Sequence, residues 1–131
     1  MGAFLMTIGV GIVVLTIAAT ISRYADLPPR IPLHFNFDGT VNGSGPRPMV
    51  WSLPVVQVIV ALTLGNGIEL GRRPLGVLAL GDCILAICLG AQLLILNTAA
   101  SRQPRAPIAG YWMFFILMMG LGVAALRIIQ K

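Results

Sequence analysis

Four long runs of apolar residues decide what this chain can fold into. Residues 3–21 and 50–68 each give 19 positions without a charge, residues 107–126 give 20, and residues 75–96 give 22 with Asp82 as the one charged side chain. A helix needs about 20 apolar residues to cross the roughly 30 Å hydrocarbon layer of a bilayer, and all four runs reach that length. Backbone groups in lipid must be paired within the segment, so each run is expected as a helix. The apolar residues come in blocks rather than amphipathic stripes. Charged residues make up only 10% of the chain and mean hydropathy is +0.91, which excludes an ordinary soluble domain. The expected fold is an all-α integral membrane protein, one domain over residues 1–131, with four transmembrane helices near 3–21, 50–68, 75–96 and 107–126.

The chain carries nine Lys and Arg against four Asp and Glu. Arg23, Arg47, Arg72, Arg73, Arg102, Arg105, Arg127 and Lys131 all sit at the ends of the apolar runs, where they would meet lipid headgroups. No basic stripe suggests a nucleic-acid partner. The compact Arg72-Arg73 turn and the Arg127/Lys131 tail read as cytosolic anchors. That places both termini in the cytoplasm and the long first connector outside, in a multi-pass protein of the cytoplasmic (inner) membrane. The first run lacks a basic leader and a small-residue cleavage site, so it is expected to remain as a helix rather than be removed as a signal peptide.

The connector over residues 22–49 is the polar exception. Pro28, Pro29 and Pro32 bar a helix. Ile31, Leu33, Phe35 and Phe37 then alternate with Pro32, His34 and Asn36, the period of a strand. Asp38-Gly39 and Asn42-Gly43 are turn signals. A short extended segment with one or two tight turns follows from this pattern. Its apolar face would pack on the bundle or the membrane, and its other face would present His34, Asn36 and Asp38. Ser52 is a candidate N-cap for the second helix, with Trp51 at the membrane interface.

Leu27, Pro28, Ile31, Pro32, His34, Phe35, Asn36 and Gly39 spell LPxxIPxHFNxxG. This closely resembles the signature of a family of membrane domains of unknown function (domain of unknown function 1648). The family is found in small bacterial and archaeal membrane proteins and in the N-terminal part of SdpI-type immunity proteins, which protect against a secreted toxic peptide and take part in signalling. The resemblance covers residues 24–64. Family members usually continue with Gly-Ser-Lys, whereas here Gly43-Ser44 is followed by Gly45-Pro46-Arg47, and immunity proteins of that type have more spans.

The loop's polar residues read first as a lock, with Asn36 and Asp38 satisfying turn amides and His34 bonding a backbone carbonyl. A metal site is not expected, because His34 is the chain's single histidine and zinc needs more His or Cys ligands. No cofactor is expected either. Cys83 and Cys88 point in different directions from one helix and read as small buried residues. Among intramembrane polar residues, Asp82 is expected to face the bundle and either find a partner or stay protonated; a hairpin centred on Arg72 and Arg73 would bring Thr63 level with it, with Asn66 one turn nearer the interface and Arg72 or Arg73 able to lean in. Gln57 and Gln92 also lie within spans. Gly9, Gly11, Gly67, Gly71, Gly120 and Gly122 are candidate sites of close helix approach.

Three functions fit these features. The resemblance implies a non-enzymatic membrane protein of the immunity or sensing type whose outer loop contacts a peptide or envelope partner. Small size and glycine patches suit an accessory subunit that docks to and stabilises a larger membrane complex. Asp82, Gln57 and Gln92 alone suggest a small transporter or channel. Membrane lipids and another membrane protein, or self-association, are the expected partners.

Overall fold

The computed structural model describes residues 2–69, 75–101 and 108–129. Helix α1 spans Gly2–Tyr24, and a β-hairpin follows as β1 (Arg30–Phe35) and β2 (Val41–Pro46). A 3-10 turn, Arg47–Trp51, leads into α2 (Ser52–Glu69), and α3 (Leu75–Ser101) and α4 (Ile108–Ile129) come last. Each apolar run of the sequence falls on one helix. Gly2–Tyr24, Arg47–Gly65 and Leu75–Ser101 are long and apolar enough to cross a membrane, and Tyr111–Arg127 is a shorter apolar helix among the described residues.

Helix α3 is the centre of the molecule, with α1, α2, α4 and β1 all packed on it. Two glycines of α3 allow this close approach. Leu64 of α2 occupies the place a side chain at Gly81 would take, and a Cβ at Gly90 would lie 2.5 Å from the Phe114 ring of α4. The expected glycine contacts are met only in part. Gly9 abuts Asp82 and Leu85, and Gly122 abuts Leu80, whereas Gly11 and Gly120 have nothing within 4 Å. Those two sit on the outward faces of their helices, among exposed Val10, Val14, Leu121 and Val123. The surroundings of Gly67, and Gly71 itself, lie outside the described residues.

The densest core lies at the hairpin end of the bundle. Leu27, Ile31 and Val50 are buried against Ile95, Leu96 and Ala99 of α3, with Tyr24, Leu33, Phe35 and Trp51 packed around them. The alternation read from the sequence thus places Ile31, Leu33 and Phe35 inward. It fails at Phe37, which is 84% exposed. The ladder shifts register on either side of His34, the paired strand ends at Phe35, and Phe37 belongs to the turn.

Strand β2 pairs antiparallel with β1, from Arg30↔Pro46 to Phe35↔Val41. Its sequence, VNGSGP, gives no alternating signal because its glycines lie under other side chains. A Cβ at Gly45 would sit 2.7 Å from Leu33 Cδ1 and 2.9 Å from Met49 Sδ. Ser52 is not an N-cap. With φ −60° and ψ −46° it is already helical, and its N–H bonds Met49 O, because the 3-10 turn begun at Pro46 and Pro48 runs straight into α2.

Candidate functional site

The hairpin's shape is set at its tip. Gly39 has φ 89°, a left-handed conformation that glycine adopts without strain. Asn36 N–H donates to Thr40 O at 2.8 Å, and Gly39 N–H donates to Asn36 O at 3.0 Å. The Asp38 carboxylate accepts from both Thr40 N–H at 3.0 Å and Thr40 Oγ1 at 2.7 Å, an Asx turn. Asn36 Nδ2 donates to Thr40 Oγ1 at 2.8 Å. Asn36 and Asp38 therefore hold the turn, but their third member is Thr40 and not His34. The imidazole of His34 makes no hydrogen bond with the described residues. It lies over Gly43, where a Cβ would come within 3.2 Å of its Cδ2.

The hairpin's base is tied by Arg47. Its N–H donates to Pro29 O at 2.9 Å and its guanidinium donates to Leu27 O at 3.3 Å while covering the Tyr24 ring at 5.1 Å. On the other flank, the Arg23 guanidinium donates to Asn97 Oδ1, and Asn97 Nδ2 donates to Tyr111 Oη at 2.8 Å. This chain of polar contacts joins α1, α3 and α4 at the same end of the bundle.

Beneath the hairpin lies an open groove of about 700 Å³. Leu33, His34, Phe35, Asn36, Phe37 and Asn42 form its roof. Ala91, Leu94 and Ile95 of α3 form the floor. Met49, Ser52 and Leu53 at the entry to α2 make one wall, and Ile108, Trp112 and Phe115 of α4 make the other. At the lip, the rings of Phe37 and Trp112 stack at 5.5 Å and 17°, and the Trp112 indole N–H donates to Phe37 O at 3.3 Å. The motif residues His34, Phe35 and Asn36 thus converge on one concavity, while Leu27 and Ile31 are core and Gly39 is turn. The roof residues all lie in the polar connector that the sequence singles out, although the alternation assigns them to opposite faces. The floor and the α4 wall carry no motif and emerge only from the packing of α3 and α4.

The polar residues of the apolar helices lie elsewhere. Gln57 is fully buried and its Nε2 donates to Leu85 O at 3.0 Å. Gln92 Nε2 donates to both Thr20 Oγ1 at 3.0 Å and Val50 O at 2.9 Å. Of the expected partners of Asp82, Thr63 does not pair with it, and the surroundings of Asn66, with Arg72 and Arg73 themselves, lie outside the described residues. Thr63 is exposed and its hydroxyl donates to Ile59 O of its own helix at 2.8 Å. Asp82 turns instead to α1, where a Cβ on Gly9 would lie 2.7 Å from its Oδ1. Levelling residues along a hairpin fixes depth but not the direction around the helix, and the small Gly9 offers the carboxylate space that α2 does not. Asp82 Oδ2 is buried without a hydrogen-bond partner among the described residues, beside a cavity of about 10 Å³. Cys83 and Cys88 are free thiols. The described residues contain no group of three or more His, Cys, Asp or Glu able to hold a metal ion.

Residues 11–58, less than half of the chain, match the family model of a domain of unknown function, DUF1648. No curated protein and no solved structure matches the chain. The DUF1648 match takes in the second half of α1, the whole hairpin and the start of α2. It therefore contains the roof of the groove and one wall, while the floor on α3 and the wall on α4 lie outside it.

Proposed function

We propose that this protein is a non-enzymatic, four-span membrane protein that receives the apolar part of a peptide or envelope component in the groove under its DUF1648 hairpin. The observation that carries the reading is the groove itself: about 700 Å³, roofed by the motif residues His34, Phe35 and Asn36 and floored by α3. Clefts of roughly 300–1,000 Å³ lined by apolar side chains with a few polar groups are where small ligands bind. Three residues of the sequence motif, His34, Phe35 and Asn36, line that roof, which supports a binding role beside the structural one that Leu27, Ile31 and Gly39 serve. Gln57 and Gln92 make hydrogen bonds between helices, which supports a packing role for them rather than an ion path. In this reading the hairpin faces the outside and both termini the cytoplasm, as the basic turn and tail suggest.

Photo-crosslinking in cells tests the proposal. A benzoylphenylalanine replacing Phe37, at the groove lip, should capture a defined molecule that the same group replacing Val14 does not. Val14 lies on an exposed face of α1, away from the groove. Identical adducts at both positions would show only general lipid contact and would refute the proposal.

A further inference from the structure

A second, open recess of about 390 Å³ shares no described lining residue with the groove. Arg30 of β1, Ser44 of β2 and Thr98 of α3 line it, with Pro32 and Val41 as apolar surface. Its polar groups are underused. The exposed Arg30 guanidinium carries five N–H donors, yet among the described residues it makes one bond, a long one of 3.4 Å to Ser44 Oγ. Thr98 is 1% exposed, and its hydroxyl is buried with no hydrogen-bond partner among the described residues. A helical threonine ordinarily donates to the carbonyl four residues back, as Thr7, Thr16, Thr20 and Thr63 do here. Among the described helical threonines Thr98 alone forgoes that bond, and a buried hydroxyl left unpaired is costly.

The recess lies at the basic end of the bundle. Residues 22–51 carry Arg23, Arg30 and Arg47 against Asp26 and Asp38. Residues 102–107, which connect α3 to α4 and lie outside the described residues, add Arg102 and Arg105 and no acid. Wherever that connector runs, it brings no negative charge to neutralise Arg30. The chain's two tyrosines and two tryptophans belong to the same end. Tyr24 closes α1, Trp51 precedes α2 with its ring 6.1 Å from that of Tyr24, and Tyr111 and Trp112 open α4. Asn97, the neighbour of Thr98, donates to Tyr111 Oη at 2.8 Å, so the recess sits at the depth of this aromatic belt. In membrane proteins Trp and Tyr collect at the level of the lipid headgroups.

We propose that this recess holds the phosphodiester of an anionic membrane lipid. The Arg30 guanidinium donates to its oxygens, a fork that suits phosphate, and the hydroxyls of Ser44 and Thr98 supply further donors. The glycerol and the first acyl carbons lie against Pro32 and Val41. In the four-span arrangement the headgroup layer brings this chemistry to the depth of Arg30, which assigns the phosphate to a lipid and not to a soluble ester. The site is separate from the groove and its occupancy does not depend on the groove's ligand.

Native mass spectrometry of the full-length protein in mild detergent tests this, with phosphatidylglycerol titrated against the zwitterionic phosphatidylcholine. One phosphatidylglycerol should bind about tenfold more tightly than phosphatidylcholine, a single decade of affinity. Arg30→Gln should erase that preference, and Arg30→Lys, which keeps the charge but not the fork, should restore only part of it. Thr98→Val removes only the unpaired hydroxyl and should weaken binding about threefold with no loss of thermal stability, roughly a third of the energy of that decade. Arg127→Gln, an equal loss of charge at the opposite end of α4, should leave binding unchanged, as should Ala91→Phe in the groove. Equal binding of the two lipids, or equal weakening by Arg30→Gln and Arg127→Gln, would overturn the proposal. Full affinity in Thr98→Val would overturn it too, since bulk attraction to Arg30 would then suffice. Displacement of the lipid by equimolar glycerophosphate, which has no acyl chains, would make the ligand a soluble phosphoester and overturn the lipid assignment. Each of these failures leaves the Phe37 crosslinking test of the groove standing.

Discussion

Replacing Gln92 by Leu should loosen the bundle at the point where α1, α3 and the entry to α2 meet. The Gln92 amide nitrogen donates to Thr20 Oγ1 at 3.0 Å and to Val50 O at 2.9 Å. The second bond has a local cause. The residue four positions after Val50 is Pro54, which has no N–H, so the helix itself offers that carbonyl no α-helical donor. Gln92 supplies one from α3. Hydrogen bonds between helices in membrane proteins are worth about 0.6 kcal/mol on average and at most about 1.7, so two amount to roughly 1–3 kcal/mol. Gln92 Oε1 is buried without a partner among the described residues, and removing it offsets about 1 kcal/mol of that loss. Leaving the buried Val50 carbonyl without its donor costs about as much again and cancels that offset, so the net expectation for Gln92→Leu is a destabilisation of about 1–3 kcal/mol. Thr20→Val, which leaves the Val50 bond intact, should cost only about 0.6 kcal/mol. Reversible unfolding in mixed detergent micelles measures both. A Gln92→Leu protein as stable as the parent would show that the apolar contacts of α3 alone hold these three elements together.

Gly90→Leu should separate α4 from α3, because even a Cβ there would meet the Phe114 ring at 2.5 Å, and overpacking of this kind costs about 1–3 kcal/mol. Thermal unfolding would read the loss, and an unchanged midpoint would contradict the packing. Phe35→Ala should cost about 1–2 kcal/mol, since the ring is half-buried against the hairpin core, whereas His34→Ala, at an exposed position, should change stability little. A reversed order in the same unfolding assay would mean that the imidazole, not the ring, holds the roof. In a background lacking Cys83 and Cys88, Asn42→Cys should react with a membrane-impermeant thiol reagent in intact cells. Protection there, with labelling only after lysis, would turn the proposed orientation over.

Much of this architecture is legible in the chain. The apolar runs give four helices because length and absence of charge leave few other states. Prolines 28, 29 and 32 and the alternation through Phe35 locate the first strand. The second strand is hidden because Gly43 and Gly45 are selected by the side chains of His34, Leu33 and Met49 above them, not by strand propensity. Thr40 completes the turn through contacts that no motif announces. Levelling residues along the hairpin does not reveal the neighbour of Asp82, since its direction depends on the gap at Gly9 of another helix. The groove needs α4 to be seated on α3, a tertiary fact set by Gly90 beneath Phe114, and so a site half-encoded in the motif became whole only in three dimensions.

The most direct test of the binding function is native mass spectrometry of the protein extracted in mild detergent. The parent protein should retain a discrete bound species at defined stoichiometry, and Ala91→Phe, which fills the groove floor, should release it. Ala18→Phe, on the exposed face of α1, should leave it in place. Equal retention in all three proteins, or no retained species in the parent, would contradict a ligand site under the hairpin.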